Sequence, residues 1–150
     1  MAFKYAHVES ERRFLVRALP EGVVQVSDIS DRYLVNTRLR LREMTTGGAT
    51  IRKLGQKVRL EGSARIAHTT LYLDDSEWDA LLALPARVLT KRRHVVERDG
   101  LRVAIDEHLD GSLVAEVDGG DVVPADPPTW LDVISEVTDD EAWTGGALAR

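Results

Sequence analysis

The sequence predicts a mainly β (α+β) domain, with about eight antiparallel strands curled into a barrel or a strongly curved sheet and one or two short flanking helices. Three observations carry this. Short β-prone runs dominate the 150 residues. Asp99-Gly100 and Asp110-Gly111 separate several of them, as tight hairpins require. One segment, residues 76–84, has apolar residues at helical spacing (Trp78, Leu81, Leu82) before Pro85 stops it.

The elements follow in order. VESERRFLV (8–16) ends in a β-prone Phe-Leu-Val run and opens the sheet. If it is a strand, Glu9, Glu11 and Arg13 share one face, because strand side chains alternate. DRYLVNT (31–37) and RLRLREM (38–44) read as one or two strands. Arg38, Arg40 and Arg42 take one face, with Leu39 and Leu41 on the other. TTGG (45–48) is a turn. Residues 49–60 form a weaker strand with Gly55 inside, as at a bulge or bend. Residues 64–73 form another. Asp75 or Ser76 caps the helix. Strands follow at 87–98, 101–109 and 112–119, then a loop at 119–128 and a short strand or loop at 129–137. The end reads as a helix weakened by Gly145 and Gly146. Neither a repeat nor an internal linker divides the chain, so a single domain over 1–150 is expected.

Composition narrows the function classes. No apolar run reaches the length of a membrane span, and the N-terminus lacks the apolar stretch of a signal peptide. Absence of cysteine excludes disulfides and thiolate metal sites, so a cytoplasmic location is the expectation. A net charge of −5 argues against a nucleic-acid polymer as partner. The charge is segregated, however. Nine basic residues and only Glu43 and Glu61 lie between Arg32 and Arg65. Nine acidic residues and no Lys or Arg lie between Glu116 and Glu141. Such blocks describe either two solvated surfaces or an anion site facing acidic partners.

The strand faces carry the chemistry. Arg38/Arg40 and Lys91/Arg93 are cations two residues apart, and guanidinium forks and ammonium groups suit phosphate oxygens. Crowded cations repel one another unless an anion joins them. Glu9 and Glu11, Asp106, and Glu116 and Asp118 come from three strands as hard oxygen ligands of the kind Mg²⁺ or Mn²⁺ takes. His7, His68, His94 and His108 lack zinc spacing and read as surface or supporting residues. Periodicity alone leaves open whether the charged faces point outward or into a lumen.

The segments in order resemble the CYTH superfamily, the triphosphate tunnel metalloenzymes. Residues 9–16, ESERRFLV, are similar to its N-terminal ExExK signature. RLRL (38–41) resembles its RxRx strand and LTKRRHVV (89–96) its K-x-R strand. VAIDEHLDGSLVAEVDG (103–119) is similar to its paired acidic strands, and WLDVISEVTDD (130–140) to its C-terminal segment. The resemblance implies an eight-stranded antiparallel β-barrel whose lumen is a triphosphate tunnel. It implies catalytic roles for Glu9, Glu11 and Arg13. It implies Mg²⁺ or Mn²⁺ on Glu9, Glu11, Asp106, Glu116 and Asp118, and triphosphate on Arg38, Arg40, Lys53, Lys91 and Arg93, with Lys57 an alternative to Lys53. The implied activity is metal-dependent hydrolysis of inorganic tripolyphosphate or a small organic triphosphate. An adenylyl cyclase, or a polyphosphate- or nucleotide-binding module of weak turnover, is the alternative. The implied partner is a triphosphate-containing small molecule, with no membrane, and the protein a monomer or homodimer. The chain departs from the family's pattern at Arg13, Ala104 and Asp118, and at His68 and Thr70, where the family often carries acids.

Overall fold

The computed structural model describes residues 3–60, 65–120, 122–124 and 126–150. Glu61 and Asp121 of the two charge blocks, Ala64 of the predicted strand and Ala125 of the predicted loop lie outside them. Among the described residues, ten strands form one antiparallel sheet: β1 (His7–Glu9), β2 (Glu11–Val16), β3 (Val23–Leu34), β4 (Leu39–Thr46), β5 (Ala49–Arg59), β6 (Ile66–Tyr72), β7 (Ala86–Arg98), β8 (Leu101–His108), β9 (Leu113–Asp118) and β10 (Val133–Glu136). Helix α1 (Asp75–Leu82) joins β6 to β7, and α2 (Gly145–Leu148) follows β10.

The ladder runs β1-β6-β5-β4-β3-β7-β8-β9-β2-β10 and is not closed, so the predicted eight-stranded barrel is only an approximation. The sheet nevertheless curls back on itself. β1 and β2 are successive halves of one run, and they pair with β6 and β9, remote from each other along the ladder. The break falls at Ser10 for a local reason. Its N–H donates to Asp118 Oδ1 (3.0 Å) and its carbonyl accepts from Gly119 N–H (3.0 Å), which turns the backbone out of a continuous ladder.

Several boundaries differ from the sequence reading. β3 starts at Val23, not at Asp31, and pairs with β4 on one side and β7 on the other. Its inward Ser27 shares a short hydrogen bond with Thr46 (2.6 Å), a cross-strand partner that local propensity does not reveal. β4 starts at Leu39. Arg38 therefore lies in the connection, where Asn36 adopts a left-handed φ of 60°. Gly55 causes neither bulge nor bend, since the register through β4, β5 and β6 is continuous there. The helix is capped one residue earlier than expected, by Asp74, whose side chain accepts from Glu77 N–H (2.8 Å) while Glu77 accepts from Asp74 N–H (2.9 Å). The C-terminal helix is only the four-residue α2 after a single 3₁₀ turn at Glu141–Trp143.

What positions the site is the destination of the apolar faces. Phe14, Val16, Val96, Val103, Ile105, Ala115 and Val117 alternate along four strands and pack together beneath Leu131 and Trp130. Leu34 and Leu41, with Leu39 and Leu54, pack beneath Trp78, Leu81 and Leu82 of α1. Arg52 ties this helix down, bonding Glu43 (2.9 Å) and Asp75 (2.6 Å) with its guanidinium over the Trp78 ring. Each fully buried side chain of this size contributes roughly 1.5–3 kcal/mol. The outer face of the sheet is thus the apolar one, and period-two alternation turns the charged face inward. Among the described residues, no helix is long and apolar enough to cross a membrane.

Candidate functional site

The curled sheet encloses a cavity of about 880 Å³. Its walls differ in sign. Arg40 and Arg42 from β4 and Lys91 and Arg93 from β7 form a basic wall. Glu9, Glu11, Glu116 and Asp118, from β1, β2 and β9, form an acidic one. The register explains the acidic wall directly: Glu11 faces Asp118 and Arg13 faces Glu116 across neighbouring strands.

Two buried carboxylates, Asp31 and Asp106, brace the basic wall. Asp31 is fully buried and accepts two bonds from Arg42 (2.7 Å each). Burial opposes its charge, but Arg42 holds its carboxyl below the usual range. Asp106, 2% exposed, accepts from Arg93 (2.7 and 2.9 Å) and pairs with Lys91 (2.7 Å). Against its burial, Lys91 and Arg93 hold it far below the usual range. The cations still outnumber their partners. Among the described residues, buried Arg40 Nε has no hydrogen-bond partner, and Asp31 Oδ1 lies 3.9 Å away. Burial lowers the pKa of Lys91, and the charges of Arg93 and Arg42 lower it further. Lys53 is lowered likewise, by burial and then by Arg42 and Arg40.

The acidic wall is less well compensated. Glu9 is engaged at both oxygens: Oε1 faces His68 Nδ1 (2.7 Å) and Oε2 faces Lys57 Nζ (2.9 Å). Burial would raise its pKa, but His68 and Lys57 bring it down to about 2. Among the described residues, Glu11 has only Lys57 as an ion-pair partner, at 3.9 Å. Burial and the charge of Glu116 push it up to about 7. Glu116 stays low despite its burial, held by Arg93 at 3.6 Å and by the lysines. Among the described residues, no three His, Asp or Glu side chains gather closely enough to hold a metal alone.

The residues singled out in the sequence thus take distinct places. Glu9, Glu11, Arg13, Arg40, Lys91, Arg93, Glu116 and Asp118 line the cavity, and Arg38 lines it from the exposed connection. Asp106 sits behind the basic wall, bound to its cations. Lys53 shares the inward parity, yet its ammonium rests 5.7 Å from the Tyr72 ring centroid. Lys57 lines the cavity among the acids. Arg13 donates to the carbonyls of Trp143 (2.8 Å) and Thr138 (2.9 Å), which fastens the C-terminal segment to β2. Gly145 lies against Tyr33, whose hydroxyl leaves no room for a Cβ there. The sequence reading missed Asp31 and His68 as site residues. Alternation placed them on the correct parity only once the strand bounds were known.

Neither a family model nor a curated protein matches the chain. Solved structures do. The hypothetical protein NE1496 is 25% identical, with 94% of this chain and 97% of that one aligned at a TM-score of 0.59. A second structure of it, as the inorganic triphosphatase NE1496, is 24% identical over 94% and 93% of the two chains, also at 0.59. The PH1819 protein of Pyrococcus horikoshii OT3 is 18% identical over 73% and 76%, at 0.57. These likenesses show the fold, and the fold of NE1496 is the one that the resemblance in the sequence implied.

Proposed function

We propose that this CYTH-fold protein hydrolyses a triphosphate, inorganic tripolyphosphate or a small organic triphosphate, in its charged cavity with Mg²⁺ or Mn²⁺ as cofactor. One observation carries the reading. A cavity wall holds more cations than carboxylates: Arg40, Arg42, Lys91 and Arg93 share Asp31 and Asp106, Arg40 Nε has no hydrogen-bond partner among the described residues, and Lys91 is lowered by burial and then by Arg93 and Arg42. A polyanion between those groups removes the repulsion and supplies the missing acceptor. The likeness to the inorganic triphosphatase NE1496 supports the same reaction class.

The donor set fits a divalent ion at Glu11 and Glu116. Burial and then the charge of Glu116 raise Glu11 to about 7, and a cation between the two carboxylates would relieve that cost. Mg²⁺ is commonly held by one or two carboxylates, waters and substrate phosphates, so a three-carboxylate cage is not required. Asp118 stands at the exposed rim beside them. Glu9 stands beside this pair, with Oε1 on His68 Nδ1 and Oε2 ion-paired to Lys57 but without a hydrogen bond among the described residues, so it too has an oxygen to offer a cation. When bound, the metal supplies charge neutralisation on the phosphate oxygens. The chain's own residues do the rest. Arg40, Arg42, Lys91 and Arg93 hold and orient the phosphates. Asp31 and Asp106 fix the geometry of those cations. The curled sheet limits bulk water around the bond to be broken.

A binding module without turnover is the second reading, favoured by the commitment of Glu9 and Asp106 to ion pairs and of Arg13 to carbonyls. Phosphate release from tripolyphosphate with Mg²⁺ or Mn²⁺ separates the two. The proposal expects metal-dependent release that Glu11→Gln plus Glu116→Gln abolishes. Tripolyphosphate binding with no release by the intact protein would favour the binding module.

A further inference from the structure

We infer that the basic wall continues to the mouth of the cavity as a second phosphate subsite on Arg59 and Arg87, and that the whole track takes a linear inorganic polyphosphate longer than tripolyphosphate. The inference rests on the phosphate-binding part of the reading above and extends the ligand outward from it.

Register carries the first step. β4 and β7 both pair antiparallel with β3, so they run in the same direction on either side of it. Across β3, Asp31 stands between Arg42 and Leu89, and Tyr33 stands between Arg40 and Arg87. Arg87, Lys91 and Arg93 share one parity on β7, and all three line the cavity. The stretch from Arg93 to Arg87 runs about 20 Å along the strand. On β5 the same parity leads from Lys57 to Arg59, past the start of β4 and so toward the same end of the sheet. The basic track is therefore longer than a triphosphate, whose end phosphorus atoms are only two bridging oxygens apart. Burial falls along it. Lys91 is 8% and Arg42 6% exposed, whereas Arg38, Arg59 and Arg87 stand in solvent at the mouth.

Pairing carries the second step. The protein is acidic overall, with a net charge of −5, and exposed arginines elsewhere find carboxylates. Arg17 pairs with Asp132 (3.4 Å) and Arg92 with Asp28 (2.9 Å). Arg102 also lines the cavity, and it pairs with Glu97. Among the described residues, the guanidinium groups of Arg59 and Arg87 have neither a salt bridge nor a hydrogen bond. Their planar forks match phosphate oxygens. A nucleoside triphosphate would bring an uncharged sugar and base to these arginines. A longer polyphosphate brings a negative charge on every phosphate, which is what the mouth lacks.

The test is calorimetric titration of metal-free protein with tripolyphosphate, ATP and a medium-chain linear polyphosphate, in wild type and in Arg59→Gln plus Arg87→Gln. In wild type, the medium chain is expected to bind about 10- to 100-fold more tightly than tripolyphosphate, the scale of an added charged hydrogen bond. The double variant is expected to lose about 10-fold or more of that advantage, with tripolyphosphate affinity within about threefold of wild type. Tm is read beside it, and both side chains are exposed, so it should not change. Equal affinity for the two phosphate chains in wild type overturns the inference. So does a double variant that weakens tripolyphosphate as much as the longer chain. An advantage of ATP over tripolyphosphate that depends on Arg59 and Arg87 also overturns it, because the mouth would then take a nucleoside. Binding is read without metal, so a protein that binds both chains but hydrolyses neither with Mg²⁺ fails the triphosphatase reading alone. No binding of either chain fails both.

Discussion

The two walls of the cavity are built from similar alternating strands, yet they manage charge in opposite ways. On the basic wall, Asp31 and Asp106 are buried behind the cations and bond them at 2.7 Å. The cations are pre-positioned, and what remains uncompensated is an excess of positive charge toward the cavity. On the acidic wall, Glu9 is held by Lys57 and His68, whereas Glu11 and Glu116 push against each other. The basic wall is ready for an anion. The acidic wall is short of a cation at one place. Buried charge is costly unless paired, so the unpaired remainder of each wall is what the proposed phosphate and metal would compensate.

The largest effect should come from unbracing the basic wall. Asp31→Ala leaves Arg42 buried without its partner and is expected to destabilise the fold by about 3–5 kcal/mol in urea unfolding. A loss under about 1 kcal/mol would mean that the pair contributes position but not stability. Next, Arg40→Ala removes a guanidinium whose Nε makes no hydrogen bond among the described residues. Tripolyphosphate affinity is expected to fall about 10- to 100-fold by calorimetry, with little change in Tm, since a charged hydrogen bond is worth roughly 1.5–3 kcal/mol.

A smaller effect separates the acidic wall from the basic one. Glu11 binds its proton more tightly folded than unfolded. Its contribution is therefore most favourable below the ordinary carboxylate pKa of 4.5 and is lost as pH rises through about 7. In metal-free buffer at about pH 8, Glu11→Gln is expected to raise Tm by about 3 °C or more. The gain should shrink at about pH 5, and Mg²⁺ should raise the Tm of wild type more than that of the variant. Equal gains at both pH values would show that Glu11 is already paired. The smallest effect lies away from both walls. Asp74→Ala breaks the capping box of α1 and is expected to cost about 1 kcal/mol, without changing tripolyphosphate affinity.

Much of the site was legible because a strand has period two. Arg40 and Arg42, Lys91 and Arg93, and Glu116 and Asp118 fall on common faces by alternation alone. The Asp99-Gly100 hairpin was readable from its turn chemistry, and both residues adopt positive φ. What stayed hidden depends on pairing between strands. Asp31 matters because β3 and β4 bring it opposite Arg42. Lys53 and Lys57 share a parity, so alternation could not tell that one meets Tyr72 and the other Glu9. Asp106 reads as a ligand by its order in the chain, but the β7–β8 register sets it opposite Arg93. Arg38 reads as the first residue of an alternating strand, and the left-handed turn at Asn36 removes it. The unclosed ladder, split at Ser10, depends on hydrogen bonds to Asp118 and Gly119, far along the chain.

The measurement that tests the central claim most directly is calorimetric titration of tripolyphosphate into wild type, with and without Mg²⁺. The account predicts salt-sensitive binding to the metal-free protein, because the basic wall is already formed, and tighter binding with Mg²⁺. Absence of binding in both conditions would contradict it and leave the inward charges without a ligand.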